Sequence, residues 1–303
     1  MLRPGDWVEV LPASAILATL DAEGALDGLP FMPEMLPFCG RALRVQVRAE
    51  RTCARALPPG ERRPLRQLDD SVVLEDLRCD GGSHGGCQLG CKIFWKERWL
   101  RKIDGPGLSP RAPPEAPVVL GVSRGPDPSV LFCQGTDLGK ATRRGHSKWN
   151  PQGYVNLLRA GTLTGTELVQ MLGQAGLRKV QRTVRSLLPS RPPARAGAAE
   201  PLRLQPGEWV EVRSMREILG TLDDRSRTNG LAFSSDMYSF CGMRMRVQSR
   251  IHTILAEETG RIRKVRDTVS LAGADCRRYM GCARQMPLLW REVWLKRAAA
   301  PGR

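Results

Sequence analysis

Histidine, tyrosine and lysine are scarce in this chain: its 303 residues hold three His, three Tyr and eight Lys, against 39 Arg. One imidazole, His84, falls in the first hundred residues, so catalysis by a histidine acid–base pair has no partners there. The phosphate loop G-x-x-x-x-G-K-[ST], a G-x-G-x-x-G turn after a strand, H-E-x-x-H and G-x-S-x-G are all missing. The commonest nucleotide, zinc-protease and serine-hydrolase signatures are therefore excluded. No apolar run approaches the roughly 18 residues of a membrane span, and Met1-Leu2-Arg3-Pro4 leads straight into a polar Gly-Asp turn. The expectation is a soluble, cytoplasmic protein with no membrane partner.

What is present is globular in character: 41% hydrophobic and 26% charged residues, over a length that suits two ordinary domains. The 47 basic and 31 acidic residues leave a net charge of +16. Such a charge invites a nucleic-acid partner, because clustered cations bind phosphate by releasing counterions. The excess of Arg over Lys, with abundant Ala, Gly and Pro, also matches a GC-rich coding bias and weakens that inference. An unidentified protein partner is the favoured expectation, and nucleic acid the alternative.

An internal repeat organises the chain. Pro4-Gly5-Asp6-Trp7-Val8-Glu9-Val10 returns as Pro206-Gly207-Glu208-Trp209-Val210-Glu211-Val212. The offset of 202 holds through Phe38-Cys39-Gly40 over Phe240-Cys241-Gly242 and Arg44-Val45-Gln46 over Arg246-Val247-Gln248. After a length change, Cys79 aligns with Cys276, Gly86-Cys87 with Gly281-Cys282, and Trp95-x-x-x-Trp99 with Trp290-x-x-x-Trp294. The implied organisation is a first module at 1–103, a Pro/Gly linker at 104–128, a helical connector at 129–188, a Pro/Ala/Arg linker at 189–203 and a second module at 204–298. In the connector, Asn150-Pro151 predicts a helix start carrying Tyr154, Leu157 and Leu158 on one face. Thr164-x-x-Glu167 predicts a capping box opening a second helix through Leu168, Met171 and Leu172, with an extension into Val180–Val184.

Within each module the pattern is mostly β. Trp7–Val10 and Leu43–Val47 alternate with period two, and further strands are predicted at Ser71–Leu74 and Ile93–Trp95. Ser14–Leu20 reads as one short helix or turn with Ser14 as its cap. Short strands, frequent Gly/Pro turns and the Pro-Gly-Asp-Trp-Val opening predict an α+β, mostly β fold of two tandem SH3-like small barrels joined by the helical connector.

The nine cysteines separate the modules. Cys79, His84, Cys87 and Cys91 lie within thirteen residues, spaced by glycines that allow a tight loop. Cys53, near the end of a predicted strand, supplies a fourth thiol. Metal binding by Cys53, Cys79, Cys87 and Cys91 is the leading expectation, with His84 replacing one thiol or lying behind it. A disulfide framework suits an exported chain and an even cysteine count, and a catalytic pairing of His84 with Cys87 or Cys91 lacks a second histidine. In the second module Leu255 stands where Cys53 is expected, Met286 where Cys91 is, and Arg277-Arg278-Tyr279-Met280 replaces the Gly-rich loop. That copy is expected to be metal-free. Zinc is the expected ion, although Cys-x-x-Cys knuckles are absent, and a [4Fe–4S] cluster held by irregularly spaced thiolates is the alternative.

Asp6, Glu9, Asp21 and Glu97 recur as Glu208, Glu211, Asp223 and Glu292, which points to shared structural roles. Trp95, Trp99, Trp290 and Trp294 are core candidates, with a stacking platform for bases or sugars as the functional alternative. Taken together, Pro-Gly-Asp-Trp-Val-Glu-Val, Leu29–Met35 (LPFMPEM), Leu77-Arg78-Cys79-Asp80-Gly81 with His84-Gly85-Gly86-Cys87-Gln88, Phe94–Leu100 and Phe132–Leu138 resemble a bacterial protein family. The resemblance covers most of residues 3–173. It implies an accessory role in biosynthetic gene neighbourhoods rather than a defined activity, and it adds Cys133 as an alternative ligand. The resulting expectation is a non-catalytic, metal-binding accessory or scaffold protein whose site holds four cysteines, or three cysteines and a histidine. An iron–sulfur redox or biosynthetic accessory enzyme, or an RNA- or DNA-binding protein, are the alternatives.

Overall fold

Alternation decides where the first strand faces. In Trp7–Val10, Val8 and Val10 are buried while Trp7 and Glu9 lie half-buried on the other side. In the computed structural model, which describes residues 1–57, 59, 65–106, 127–145, 150–169, 173, 201–276 and 281–300, this strand is flanked on both sides. It pairs antiparallel with Ala42–Arg48 and with Leu100–Ile103. Ala42–Arg48 pairs in turn with Ser71–Arg78, and Ser71–Arg78 with Lys92–Lys96, which completes a five-stranded antiparallel sheet. A one-turn 3-10 helix, Glu97–Trp99, joins Lys92–Lys96 at one edge to Leu100–Ile103 at the other.

The second copy repeats this order with Pro287–Arg291, Thr268–Asp275, Arg244–Arg250, Trp209–Val212 and Leu295–Arg297, and places its own 3-10 turn at Glu292–Trp294. A register shift recurs too, between Val45 and Val47 in one copy and Val247 and Ser249 in the other. All four predicted strands of the first module are present. Among the elements that are not predicted are two small hairpins, Ala25–Leu26 with Leu29–Pro30 and Arg227–Thr228 with Leu231–Ala232. Their turns are Asp27-Gly28 and Asn229-Gly230, with φ of 50° and 74° in the first and 48° and 81° in the second. Two left-handed residues in succession fit the twist of a tight hairpin, and these dipeptides adopt them readily.

Each copy has its own core. Trp95, Trp99, Trp290 and Trp294 are 0% exposed, so none offers a face for a base or sugar to stack on; the stacking alternative is corrected to core packing. Phe31 meets Trp99 edge-on at 5.5 Å, and Phe233 meets Trp294 at 5.3 Å. The indole N–H of Trp99 donates to Thr19 Oγ1 at 3.0 Å, and that of Trp294 to Thr221 Oγ1 at 3.1 Å. The repeated carboxylates fill matching places. Asp21 and Asp223 each accept two amides of their own turn, while Glu97 and Glu292 accept amides from the segment that precedes the first strand.

The chain divides into two units. The first is Met1–Leu168 with Thr253–Arg263 and Arg278–Gln285; the second is Val169–His252, Lys264–Arg277 and Met286–Arg303. Two stretches of the second repeat thus belong to the first unit. So does part of the connector: the helix Gln134–Ala141 buries Leu138, and the Gln134 amide bridges Phe94 N, Phe94 O and Pro30 O. The helix Pro151–Arg159 is capped by Asn150 as expected, but Leu157 is buried whereas Leu158 is exposed. The Thr164/Glu167 capping box forms. Ser14 is not the cap of the first helix. Ala13–Leu17 starts behind Pro12 without a side-chain cap, while its counterpart Met215–Leu219 has a full Ser214/Glu217 box. Most of both Pro-rich linkers, Met171, Leu172 and residues 180–184 lie outside the described residues. Among the described residues no helix is long and apolar enough to cross a membrane.

Candidate metal centre

The Cys79–Cys91 loop is closed at its base like a strand end, with Cys79 N donating to Cys91 O at 2.8 Å. Inside it the chain doubles back. His84 N and Gly86 N both reach Gly81 O, and Asp80 Oδ1 accepts from Gly82 N. Gly81 is fixed by sterics, since its φ is +73° and a Cβ there would sit 1.9 Å from Cys87 O. This folding turns His84 inward, where it is 2% exposed.

Glu34 meets it from the opposite side. The 3-10 helix Pro33–Phe38 presents this carboxylate, whose Oε1 lies 3.0 Å from His84 Nδ1 and accepts the Ser83 amide at 3.0 Å. At the other ring nitrogen, Cys79 Sγ is 3.5 Å from His84 Nε2. Glu34, Cys79 and His84 bring one ligand atom each within 4.8 Å of one another, a spacing that can hold a metal ion. Glu34 Oε2 is buried without a hydrogen-bond partner, a polar atom left available for a cation.

The electrostatics suit a positive charge at this spot. Burial would raise the Glu34 carboxyl, but hydrogen bonds from His84 and Ser83 hold it at about 2. Burial would also discharge the His84 imidazolium, yet Cys79, Cys87 and Glu34 together hold it up at about 12. Cys87 moves down, because His84 and the amides of Leu255 and Leu89 outweigh its burial. Leu255 N donates to Cys87 Sγ at 3.3 Å.

Behind the triad lies a cavity of about 40 Å³ that Cys79, His84, Cys87, Cys91 and Cys133 all line. A site needs about 10–15 Å³ by this measure to hold one water, so an ion with a water or two fits. Burial pushes the Cys91 thiol up to about 12 and raises Cys133 as well. Met32, Met35, Ile93, Phe94 and Leu255 supply apolar wall. Polar residues interrupt it: Lys92 and Gln134 line the same cavity, as does Arg284, which is ion-paired to Glu257 with both nearly fully buried.

Of the sequence-predicted ligands, the structure therefore brings Cys79, His84, Cys87, Cys91 and Cys133 to one cavity. Cys53 is placed elsewhere. It sits in the two-residue strand Thr52–Cys53, and its sulfur is 3.6 Å from that of Cys282. Sequence reasoning missed Glu34, Gln134, Glu257, Arg284 and Cys282. Glu34 lies inside the LPFMPEM motif and Gln134 inside Phe132–Leu138, the signals that could have singled them out; nothing in the sequence marks Glu257, Arg284 or Cys282 as neighbours of the loop. Compared with protein-family models, curated proteins and solved structures, the chain shows no significant match.

Proposed function

We propose that the first unit is a zinc-binding module in which Cys79, His84 and Glu34 hold the ion with Cys87 beside them, and that the protein serves as a non-catalytic scaffold. The observation that carries this reading is the Glu34–Cys79–His84 group, with its unpartnered Glu34 oxygen. A mixed nitrogen, oxygen and thiolate donor set suits zinc, which takes all three in tetrahedral sites. The strand order and the 3-10 turn ahead of the last strand support an SH3-like barrel in each copy, the second acting without metal.

A second reading has its own observation. Cys79, Cys87, Cys91 and Cys133 place four thiols on one cavity, the ligand number of a [4Fe–4S] cluster. The experiment is anaerobic purification of the full chain, with metal and sulfide analysis and a visible spectrum. Colourless protein with about one zinc supports the proposal. Iron with sulfide and broad visible absorption moves the assignment to the cluster, and no bound metal after supplementation with zinc or iron overturns both.

A further inference from the structure

Cys53 and Cys282 are 229 positions apart in sequence, belong to the same unit and touch sulfur to sulfur at 3.6 Å. The contact is asymmetric. Cys53 is half-buried and partly open to solvent, whereas Cys282 is 2% exposed. The guanidinium of Arg284, two residues after Cys282, donates to the Cys53 carbonyl at 3.0 Å, which fixes the short Thr52–Cys53 strand against residues 281–285. Ala283 N donates to Arg51 O at 2.8 Å and closes the same junction from the other side. Neither sulfur lines the cavity of the proposed metal site.

The geometry points to Cys53 and Cys282 as a dithiol–disulfide site, with Cys53 the attacking and Cys282 the resolving cysteine, that reacts with small-molecule disulfides. The Cys53 thiolate attacks one sulfur of the oxidant RSSR, forming a mixed disulfide and releasing RS⁻, which takes a proton. Cys282 then loses its proton and attacks Cys53 Sγ, forming the Cys53–Cys282 bond and expelling the second RS⁻, which is protonated in turn. In balance, two protein thiols and RSSR give one protein disulfide and two RSH. The bond ties the Thr52–Cys53 strand covalently to residues 281–285, and an excess of RSH reverses it.

The local charges fit the assigned roles. The Cys282 S–H donates to Cys53 and outweighs burial, and Arg284 adds to it, so the Cys53 thiol is held below its ordinary value. A lowered pKa raises the share of Cys53 present as the attacking thiolate at pH 7. Part of that gain is offset, because intrinsic nucleophilicity falls as the pKa falls.

The test uses the full, metal-loaded chain in a series of oxidised and reduced glutathione mixtures at pH 7, quenched with acid, alkylated, digested and mapped by mass spectrometry. The expected product is a Cys53–Cys282 cross-linked peptide that disappears with dithiothreitol while the zinc content stays constant. In Cys282→Ser, Cys53 accumulates as a stable glutathione adduct; in Cys53→Ser, Cys282 stays alkylatable and unmodified. Full alkylation of both cysteines at ratios that oxidise a reference dithiol overturns the proposal. So does zinc release in step with oxidation of Cys53, which makes that thiol a metal ligand and adds it to the proposed zinc site.

Discussion

Cys79 and Cys276 hold the same place in the two copies, and so do Trp99 and Trp294, yet one pair keeps its surroundings and the other does not. The tryptophans keep burial, ring contacts and a threonine partner alike. The cysteine loops keep their base: Cys276 N donates to Met286 O at 2.7 Å, as Cys79 N does to Cys91 O at 2.8 Å. Above that base they diverge. Cys276 Sγ accepts the Met286 amide, while Cys79 Sγ faces His84. Asp236, the counterpart of Glu34, lies in the matching 3-10 helix Ser235–Phe240, and the sequence at 277–280 offers it no histidine. The sheet and its loop base are thus a scaffold that does not require the site, whereas the site requires the scaffold.

The two copies are expected to differ most in metal content. Cys79→Ser or His84→Ala is expected to take bound zinc from about one per chain to near none, and Cys276→Ser to leave it unchanged. Metal analysis of the three purified variants reads this directly, and a loss in Cys276→Ser ends the view of the second copy as metal-free. Next comes the shared core. Trp99→Ala and Trp294→Ala each remove a fully buried indole and are expected to cost about 3–5 kcal/mol in their own sheet. Hydrogen exchange read separately on Trp7–Val10 and Trp209–Val212 shows whether the two losses match. A cost confined to one copy makes the cores unequal.

A smaller step tests the repeated carboxylates. Glu292 accepts from Arg203 N at 2.7 Å and Leu204 N at 3.0 Å, and Glu97 accepts from Leu2 N at 3.2 Å and from the buried Arg48 guanidinium. Glu97→Gln and Glu292→Gln each weaken hydrogen bonds to a charged group and are expected to cost about 1.5–3 kcal/mol by denaturant unfolding. An effect below measurement in either variant removes that carboxylate from the structural frame.

The frame is legible in the sequence because its signals are local. Period-two alternation at Trp7–Val10 and the recurrence of whole motifs at a fixed offset report which residues face inward without any knowledge of pairing. The site is legible only in part. Glycine spacing shows that Cys79, His84, Cys87 and Cys91 share one loop, but not which group faces His84. That depends on how the Pro33–Phe38 turn docks, and Glu34 arrives from far upstream of the loop. Cys53 groups with the loop by sequence because it is the nearest further thiol. The fold instead carries it to Cys282, whose place is hidden by its role as the repeat counterpart of Cys87. Ser14 suits a cap by residue type, yet the helix begins one residue earlier, behind Pro12, whose ring fixes the backbone without a side-chain hydrogen bond.

The weakest shared feature gives the finest comparison. Asp6 pairs with Lys102 at 2.8 Å, and its counterpart Glu208 pairs with Arg297. Burial would raise Asp6, but Lys102 and the Arg3 amide hold it below its ordinary 3.8; the Gln205 amide and Arg297 hold Glu208 below 4.5. A carboxyl lowered by folding contributes stability that is fully present above its unfolded value and is lost as the pH falls through the folded one. Both contributions are therefore complete at pH 7 and fade below about pH 4. The cationic partners are exposed, so each pair is worth less than about 1 kcal/mol. Asp6→Asn and Glu208→Gln are expected to lower the melting temperature slightly and equally at about pH 7 and not at all at about pH 2. A difference that persists in acid assigns the effect to the amide hydrogen bonds of the turn, Arg3 N to Asp6 Oδ2 and Gln205 N to Glu208 Oε2, rather than to charge.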